Sequence, residues 1–355
     1  MNFSDFIVTL NNQAVYLMQD NRNEDAMELM EYVYRITGLT INLLRFDVRI
    51  EDYCGIIITH ISCLMNLNRL FEIEKDFRKF ERFSNRGRIP MNLSFKIHEQ
   101  KSEYYIRRGF YSKAMDEVKL MDRFAHIDTY RYRMLIQKAK IDNVNKNVFS
   151  PFSINCVSEA LAIAERMNEP YAIALAYNEL AAMFSIHYPS LSFAFAKKAE
   201  LTFARNGMKR EAYEQRVPIA NALIVNYLKD PQHNQNFRED AKKQLAKVDR
   251  SKLCQEQHKA DYDYVYGMAY DDIKSLESAA KFYKSVGSYS SYCQMMDRII
   301  LLRLQNKDYI QAKNDISSYL SSAKKTHEKD YLSAMTHFKV LQNYIDEQLL
   351  GTKTK

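Results

Sequence analysis

The sequence is poor in the residues that make turns. Only 8 glycines and 6 prolines occur in 355 residues, and tryptophan is absent. β-Sandwiches, doubly wound sheets and barrels need many turns, and turns depend on glycine and proline. The composition therefore predicts long helices with short connections. It also argues against an enzyme built on a glycine-rich phosphate-binding loop.

Long apolar runs and closely spaced cysteines are also missing. No stretch approaches eighteen apolar residues, and the first twenty residues lack the basic, apolar and small-residue regions of a secretory signal. The cysteines are odd in number and widely spread, which is typical of reduced thiols. We therefore expect a cytoplasmic protein without a membrane segment. The five cysteines are Cys54, Cys63, Cys156, Cys254 and Cys293.

The sequence offers no pattern of catalytic or metal-ligating residues. It has no paired-cysteine zinc spacing, no phosphate-cradling loop and no nucleophile elbow, and its eight histidines are dispersed. His327 and His337 would lie about 15 Å apart along the last predicted helix, too far to share a metal. We therefore expect neither an enzyme nor a cofactor or metal site.

Positive charge is concentrated in one segment, residues 75–140. This segment holds 17 Lys and Arg against 8 Asp and Glu, whereas the whole chain has a net charge of +7. Such a surplus is compatible with a solvated helix face, an acidic protein partner or nucleic acid. The candidate partner-binding residues are Arg107, Arg108, Arg131 and Arg133.

Apolar residues recur three and four positions apart along most of the chain, which predicts amphipathic helices. The helices come in pairs. Leu10 and Ala14 line a first helix, and Ala26 and Met30 line a second one after a short polar turn. Small residues twelve positions apart let two antiparallel helices approach closely. The second-helix markers fall at 26, 73, 114, 160, 194, 241, 279 and 312, with Ser192 as the alternative to Ala194 and an average spacing of about 41.

This pattern resembles the tetratricopeptide repeat (TPR) superfamily. The most specific matches are the sets Gly267, Tyr270, Ala279, Tyr283 and Ser102, Tyr105, Gly109, Tyr111, Ala114. The early tryptophan of the family is missing, and the spacing exceeds the usual 34 residues. The resemblance implies an all-α solenoid of about eight TPR-like αα-hairpins in a right-handed superhelix. A C-terminal helix from about His327 to Leu349 would cap the stack.

A proline and a polar loop divide the predicted array. Pro218 lies inside an otherwise helical run, so we expect a kink or break at about Gln215. Residues 229–236 form the most polar stretch and are a candidate hinge. This predicts an N-terminal sub-array over 1–228, with the basic segment 75–140, and a C-terminal sub-array with its cap over 237–350.

A TPR-like array presents a concave surface lined by its first helices. In the repeat pattern, the residue after the first-helix small residue and the residue three before it face this groove. Asparagine can bind a peptide backbone through both its donor and its acceptor, and tyrosine adds flat apolar area. The alternative is that these are ordinary surface polar residues. The candidate peptide-binding residues are Asn178, Asn221, Asp261, Tyr264, Gln294 and Asp297.

A second resemblance concerns the segment from Val217 to Leu223. Its sequence VPIANAL is similar to the Ile-Ala-Asn-Ser-Tyr stretch of Rap-type quorum-sensing regulators. In that group and in phage arbitrium receptors, an asparagine at the corresponding place holds the backbone of a signalling peptide, which implies that role for Asn221. The sequence departs from the family because the repeats begin by residue 6, which leaves no room for an N-terminal helix-turn-helix. No three-helix effector bundle is recognisable either.

Three functions remain open from the sequence. The first is a cytoplasmic regulator that binds a short peptide in its groove, and this binding changes the affinity of the regulator for a protein partner. The partner would be acidic if it binds to the basic segment. The second is a constitutive scaffold without a ligand switch. The third, less favoured, is nucleic-acid binding through residues 75–140. A homodimer could form through the Leu332, Met335, Phe338 and Leu341 face of the last helix, although the same stripe fits a cap packed on its neighbour.

Overall fold

The fold was analysed in a computed structural model. Two of the residues discussed above, Cys254 and His327, lie outside the described residues. The structure describes residues 2–20, 22–40, 47–85, 89–146, 150–253, 255–286, 288–324 and 328–353.

The chain divides into two compact units, Met1–Met183 (unit 1) and Phe184–Lys355 (unit 2). Both consist of α-helices, and no strand occurs in the described ranges, so the predicted all-α class is confirmed. The number of repeats and the handedness of the array stay predictions. Unit 1 holds α1 (Phe3–Gln19), α2 (Asn23–Ile36), α3 (Ile50–Asn66), α4 (Leu70–Ser84), α5 (Met91–Arg107), α6 (Tyr111–Met121), α7 (Asp128–Lys146), α8 (Pro151–Arg166) and α9 (Pro170–Phe184), whose last residue begins unit 2. Unit 2 holds α10 (Pro189–Arg205), α11 (Lys209–Glu214), α12 (Arg216–Lys229), α13 (Gln235–Leu245), α14 (Glu256–Tyr270), α15 (Ile273–Ser285), α16 (Tyr289–Gln305), α17 (Tyr309–Ala323) and α18 (Glu328–Lys353).

Consecutive helices pack as hairpins. In unit 1, α1 packs on α2, α3 on α4, α5 on α6 and α7 on α8; in unit 2, α12 packs on α13, α14 on α15 and α16 on α17. Alternate helices also contact each other, as α3 does with α5 and α5 with α7. We call α1, α3, α5, α7 and α9 of unit 1, and α12, α14 and α16 of unit 2, the first helices.

Left-handed residues close several of the hairpin turns. Gly109 between α5 and α6 has φ +75°, and Asn68 between α3 and α4 has φ +59°. Asp271 ends α14 in the same conformation, and Asp272 then accepts a hydrogen bond from the backbone N–H of Ser275 to begin α15. Glycine, asparagine and aspartate tolerate this conformation best, so few glycines suffice for short turns.

Small side chains lie where the paired helices meet. The second-helix markers Ala26, Ala114, Ala279 and Ala312 are fully buried. Gly267 on α14 comes so close to α15 that an added Cβ would lie 2.6 Å from Cγ of Leu276. Of the two candidate markers in α10, Ser192 is buried and Ala194 is exposed, so Ser192 is the one that fits the pattern.

The helix break predicted near Pro218 is confirmed. Helix α11 ends at Glu214, Gln215 forms a turn, and α12 begins at Arg216. A proline at this place has no N–H to continue the hydrogen bonding of α11, so a new helix starts.

The polar stretch 229–236 lies inside unit 2, between α12 and α13. Lys229 donates to the backbone oxygen of His187 at 2.7 Å, and Asn234 donates to that of Asn226 at 3.0 Å. Along the chain, the division between the two units falls between Met183 and Phe184. A hinge at 229–236 stays a prediction.

The last helix packs as a cap on α17. Phe338 is buried with its ring centroid 4.4 Å from that of Tyr319, and Lys313 pairs with Asp346 at 2.6 Å. Met335 on α18 is exposed. These contacts support the interpretation of this face as a cap, and the homodimer stays a prediction.

Candidate functional site

Polar pairs connect neighbouring first helices within unit 1. Arg133 on α7 donates through Nε to Glu99 on α5 at 2.6 Å. Two turns further along α7, Nζ of Lys140 lies 3.4 Å from a carboxylate oxygen of Glu179 on α9. These contacts place side chains of α5, α7 and α9 on one surface, which we call the unit 1 face.

The unit 1 face carries a balanced group of charges. Arg107 donates through Nε to Glu103 at 3.0 Å. Burial favours the neutral form of Glu103, but the charges of Lys140 and Arg107 outweigh it and hold the pKa of Glu103 below its ordinary value. The charge of Glu179 in turn raises the pKa of Lys140. The Lys140 side chain remains 35% exposed, so this group is recessed rather than sealed in the core.

The first predicted peptide-binding residue, Asn178, precedes Glu179 on α9 and is half-buried. The other five lie in unit 2. The predicted set therefore divides between the two units.

Asp261 is a recessed carboxylate on α14. It is half-buried and accepts a hydrogen bond from the Tyr283 hydroxyl on α15. Burial raises the pKa of Asp261, and the hydrogen bond from Tyr283 and the nearby His258 only partly oppose this effect. The same burial, reinforced by the charge of Asp261, raises the pKa of Tyr283, so the tyrosine keeps its proton and donates.

Tyr264 lies one turn after Asp261 on α14 and is also half-buried. Burial raises the pKa of its hydroxyl, against the opposing charge of Arg298 on α16. Arg298 itself pairs with Asp271 at the end of α14 at 2.5 Å. Residues of α14 and α16 thus meet around Tyr264, and we call the surface formed by α12, α14 and α16 the unit 2 face.

The remaining three predicted residues differ in exposure. Asn221 on α12 and Asp297 on α16 are half-buried, and Gln294 on α16 is exposed. All three lie on first helices, as the repeat pattern predicts.

The sequence analysis missed several polar residues on the first helices. Nδ1 of His258 on α14 lies 3.4 Å from a carboxylate oxygen of Glu214 on α11. Burial lowers the pKa of His258, but the hydrogen bond and the charge of Glu214 outweigh burial, so the pKa is raised overall. Glu99 and Glu103 were also missed. The rule used for the other repeats, applied to the buried Ser102, would have found them, since they lie three before and one after it.

Three of the four candidate partner-binding arginines are in ion pairs within unit 1. Arg107 pairs with Glu103, Arg131 with Glu159 and Arg133 with Glu99. Arg107 also donates to the backbone oxygen of Met65 at 2.9 Å. The charges of these three arginines are therefore partly balanced by carboxylates of unit 1, and their role in binding a partner stays a prediction.

Arg108 differs from the other three. Its Nη1 donates to the Tyr104 hydroxyl at 3.1 Å, and its guanidinium lies 4.9 Å from the ring centroid of Phe71. No carboxylate lies within 4 Å of Arg108 in the part of the chain that the structure describes. The Tyr104 hydroxyl in turn donates to Glu74 at 2.8 Å, so Arg108 is linked to a carboxylate only through Tyr104.

Several of the described histidines each pair with a single carboxylate. His60 Nδ1 lies 2.6 Å from Asp76, and His98 Nδ1 lies 2.7 Å from Glu117. Among the described residues, no group of three or more His, Cys, Asp or Glu side chains is placed to hold a metal ion. None of the described helices has the length and apolar character needed to span a membrane.

No protein-family model matches the sequence, and no curated protein sequence matches it. The chain is similar to a Rap protein solved in complex with Competence and Sporulation Factor, with 12% identity over 91% of this chain and 98% of that chain and a TM-score of 0.41. It is similar to NprR in complex with its cognate peptide NprX, with 13% identity over 84% of this chain and 86% of that one and a TM-score of 0.47. Yeast Tom70 shares 11% identity over 99% of both chains, with a TM-score of 0.27. The resemblances proposed from the sequence agree with this set, but with TM-scores below 0.5 these similarities assign no function to this chain.

Proposed function

We propose that this protein is a non-catalytic cytoplasmic regulator that binds a short peptide on the unit 2 face and thereby changes its affinity for a protein partner. The observation that carries the proposal is the state of Asp261. Asp261 is a half-buried residue on a first helix, and burial raises the pKa of its carboxyl group.

An ionised carboxylate in this position destabilises the free protein. It favours the binding of a ligand that supplies hydrogen-bond donors. An N–H group or an ammonium group of a peptide would stabilise the ionised form of Asp261. Tyr264, one turn away, offers flat apolar area with a polar tip. Asn221 on α12 could both donate to and accept from a peptide backbone.

The first experiment is native mass spectrometry of the protein freshly purified from the cells that produce it. We expect a bound peptide of about five to ten residues, the length for which a few first helices offer a surface. The variants Asp261→Asn and Tyr264→Ala should carry less of it. The matched control Asp240→Asn changes an exposed aspartate on α13, where it pairs with Lys243, and should retain the peptide. A peptide retained equally by all variants, or none in the wild-type protein, would contradict the proposal.

The second candidate function is a constitutive scaffold, favoured by the paired charges of the unit 1 face. Such charges hold neighbouring first helices in fixed positions and leave little for a ligand to change. A scaffold would retain a protein partner in the absence of any peptide. Its affinity for that partner would be the same in the wild-type protein and in Asn178→Ala and Asn221→Ala variants, as measured by isothermal titration calorimetry.

A further inference from the structure

A contiguous aromatic and cationic surface lies at one edge of unit 1. Phe71, the second residue of α4, is 77% exposed, and Phe110, at the start of α6, is 45% exposed. Arg108 joins them, since its guanidinium lies 4.9 Å from the ring centroid of Phe71 and 5.7 Å from that of Phe110. Nζ of Lys113 lies 5.3 Å from the ring centroid of Phe110, and Lys75 is exposed one turn after Phe71. We call these five residues the edge patch.

The three cations of the edge patch form no ion pair with a carboxylate among the described residues, and Arg108 is linked to Glu74 only through the Tyr104 hydroxyl. Among the described residues, no carboxylate lies within 4 Å of Arg108, Lys113 or Lys75. Arg107 next to Arg108 provides the contrast, because it pairs with Glu103. A surface that presents a cation between aromatic rings, with no carboxylate paired to that cation, attracts a carboxylate of a binding partner.

The guanidinium of Arg108 is held in place before any partner arrives. Its Nη1 donates to the Tyr104 hydroxyl at 3.1 Å, and that hydroxyl donates to Glu74 at 2.8 Å. Tyr104 is itself buried, and burial together with the bond to Glu74 raises the pKa of its hydroxyl to about 12. The tyrosine therefore stays protonated at neutral pH and fixes the arginine, which reduces the entropy lost on binding.

We infer that the edge patch binds an acidic segment of a partner protein that also carries a large apolar side chain. Arginine and large aromatic residues are concentrated in the energetically dominant parts of protein interfaces. A carboxylate of the partner would pair with Arg108, and its apolar side chain would cover Phe71 and Phe110. Lys75 and Lys113 would attract further acidic residues at the rim and increase the rate of association.

The charge count favours a protein over a membrane. Electrostatic attachment to anionic lipids usually involves clusters of four to eight basic residues, and the edge patch has three. This surface belongs to unit 1 and involves none of the residues of the unit 2 face. It can therefore be tested whether or not the proposed peptide function holds.

The test uses the full-length protein and a phage-displayed pool of random twelve-residue peptides. We expect the recovered peptides to be acidic and to contain Phe, Leu, Ile or Trp. A synthetic copy of the most enriched peptide, labelled for fluorescence anisotropy, should bind Arg108→Gln and Phe71→Ser at least about tenfold more weakly than the wild-type protein. Its Kd should also rise with salt, since exposed charges are screened.

Two matched variants control for unspecific effects. Arg166→Gln removes an arginine of unit 1 that is paired with Asp128, and Phe152→Ser removes a phenylalanine of unit 1 that is 48% exposed on α8. Both should bind the peptide as the wild-type protein does. Circular dichroism should find all four variants folded, because Phe71 and Phe152 are exposed and neither arginine is in the core.

Several outcomes would overturn the inference. They are recovery of neutral or basic peptides, recovery of no peptide at all, and equal affinity of the wild-type protein and Arg108→Gln for the acidic peptide. A further one is binding to vesicles with 30% phosphatidylserine that depends on Arg108 while acidic peptides do not bind.

Discussion

At the scale of single residues, Asp261 combines a cost to stability with the proposed binding function. Because burial raises its folded-state pKa above the ordinary value, the ionised carboxylate destabilises the fold at neutral pH, and this cost disappears as the pH falls below that pKa. An asparagine at this position can still accept the hydrogen bond from Tyr283, but it does not ionise. The residue is therefore better explained by ligand binding than by stability.

We expect Asp261→Asn to raise the Tm at pH 7 by about 1–3 °C and to raise it less as the pH falls towards the ordinary pKa of an aspartate, because the Asp261 carboxylate then takes up a proton in the folded protein. Differential scanning calorimetry over this pH range provides the measurement. A variant that is less stable than the wild-type protein at pH 7 would mean that the Asp261 carboxylate stabilises the fold and that the assignment of its raised pKa is wrong.

Gly267 and Gly55 form a natural pair of helical glycines with opposite surroundings. An alanine Cβ at Gly267 would lie 2.6 Å from Leu276 Cγ and 3.0 Å from the backbone oxygen of Asp272, whereas nothing lies within 4 Å of a Cβ at Gly55. Gly267→Ala should reduce the free energy of unfolding by about 1–2 kcal/mol, because α14 and α15 must move apart. Gly55→Ala on α3 should instead increase it by about 0.5–1 kcal/mol through helix propensity.

Urea denaturation of both variants tests this contrast. If Gly267→Ala is as stable as the wild-type protein, the close approach of α14 and α15 is not what requires glycine at this position.

At the scale of elements, the charges of the basic segment connect helices. Arg133 reaches from α7 to Glu99 on α5, and the side chains of this pair are 36% and 16% exposed. Burial raises the pKa of Glu99, and the charge of Arg133 opposes that rise. The pair therefore offsets part of the cost of burying a carboxylate between two first helices.

Arg133→Gln should lower the free energy of unfolding by about 1–2 kcal/mol at pH 7. This loss is smaller than for a fully buried ion pair, because the side chains of Arg133 and Glu99 are still partly exposed to solvent. Without Arg133 the pKa of Glu99 rises further. Above this pKa the ionised Glu99 then destabilises the fold more than in the wild-type protein, and this loss of stability disappears once Glu99 is protonated. The difference from the wild-type protein should therefore shrink as the pH falls from 7 towards 4. Urea denaturation at several pH values measures it.

Arg131 provides the control two residues away. Its pair with Glu159 has side chains that are 49% and 44% exposed, so Arg131→Gln should cost less than about 1 kcal/mol at any of these pH values. Equal losses for the two variants would indicate that the Arg133 pair has no special role between α5 and α7.

At the scale of the whole molecule, the two units allow the proposed peptide binding to be located. Addition of the co-purified peptide at about one hundred times its Kd should stabilise its binding region by about 2.7 kcal/mol. Hydrogen exchange followed by mass spectrometry should then find slower exchange in α12, α14 and α16. Proteolytic fragments of the protein that cover α1 to α6 should exchange at an unchanged rate if the ligand peptide binds only to unit 2.

Slower exchange confined to α5, α7 and α9 would place the ligand on the unit 1 face and contradict the assignment to Asp261 and Tyr264. The same experiment with the acidic peptide selected on the edge patch should protect the α5–α6 turn and the start of α4 instead.

The helical class and the pairing of helices followed from local features of the sequence. Apolar periodicity and the small number of glycines and prolines depend only on neighbouring residues, so they could be read without coordinates. The buried Ala26, Ala114 and Ala279 and the helix break at Gln215 belong to this group. The sequence left Ala194 and Ser192 open as markers, because both are small residues on α10, and only the structure shows that Ser192 is the buried one.

The use of each charge was decided only by the tertiary structure. Arg107 and Arg108 are adjacent and chemically identical, yet one pairs with Glu103 and the other lies between aromatic rings of α4, α5 and α6. The recessed position of Asp261 likewise depends on Tyr283, which is 22 residues away. Ion pairs and burial depend on which helices lie side by side, and a periodic sequence specifies the buried stripe of each helix but not the partners of the polar residues beside it.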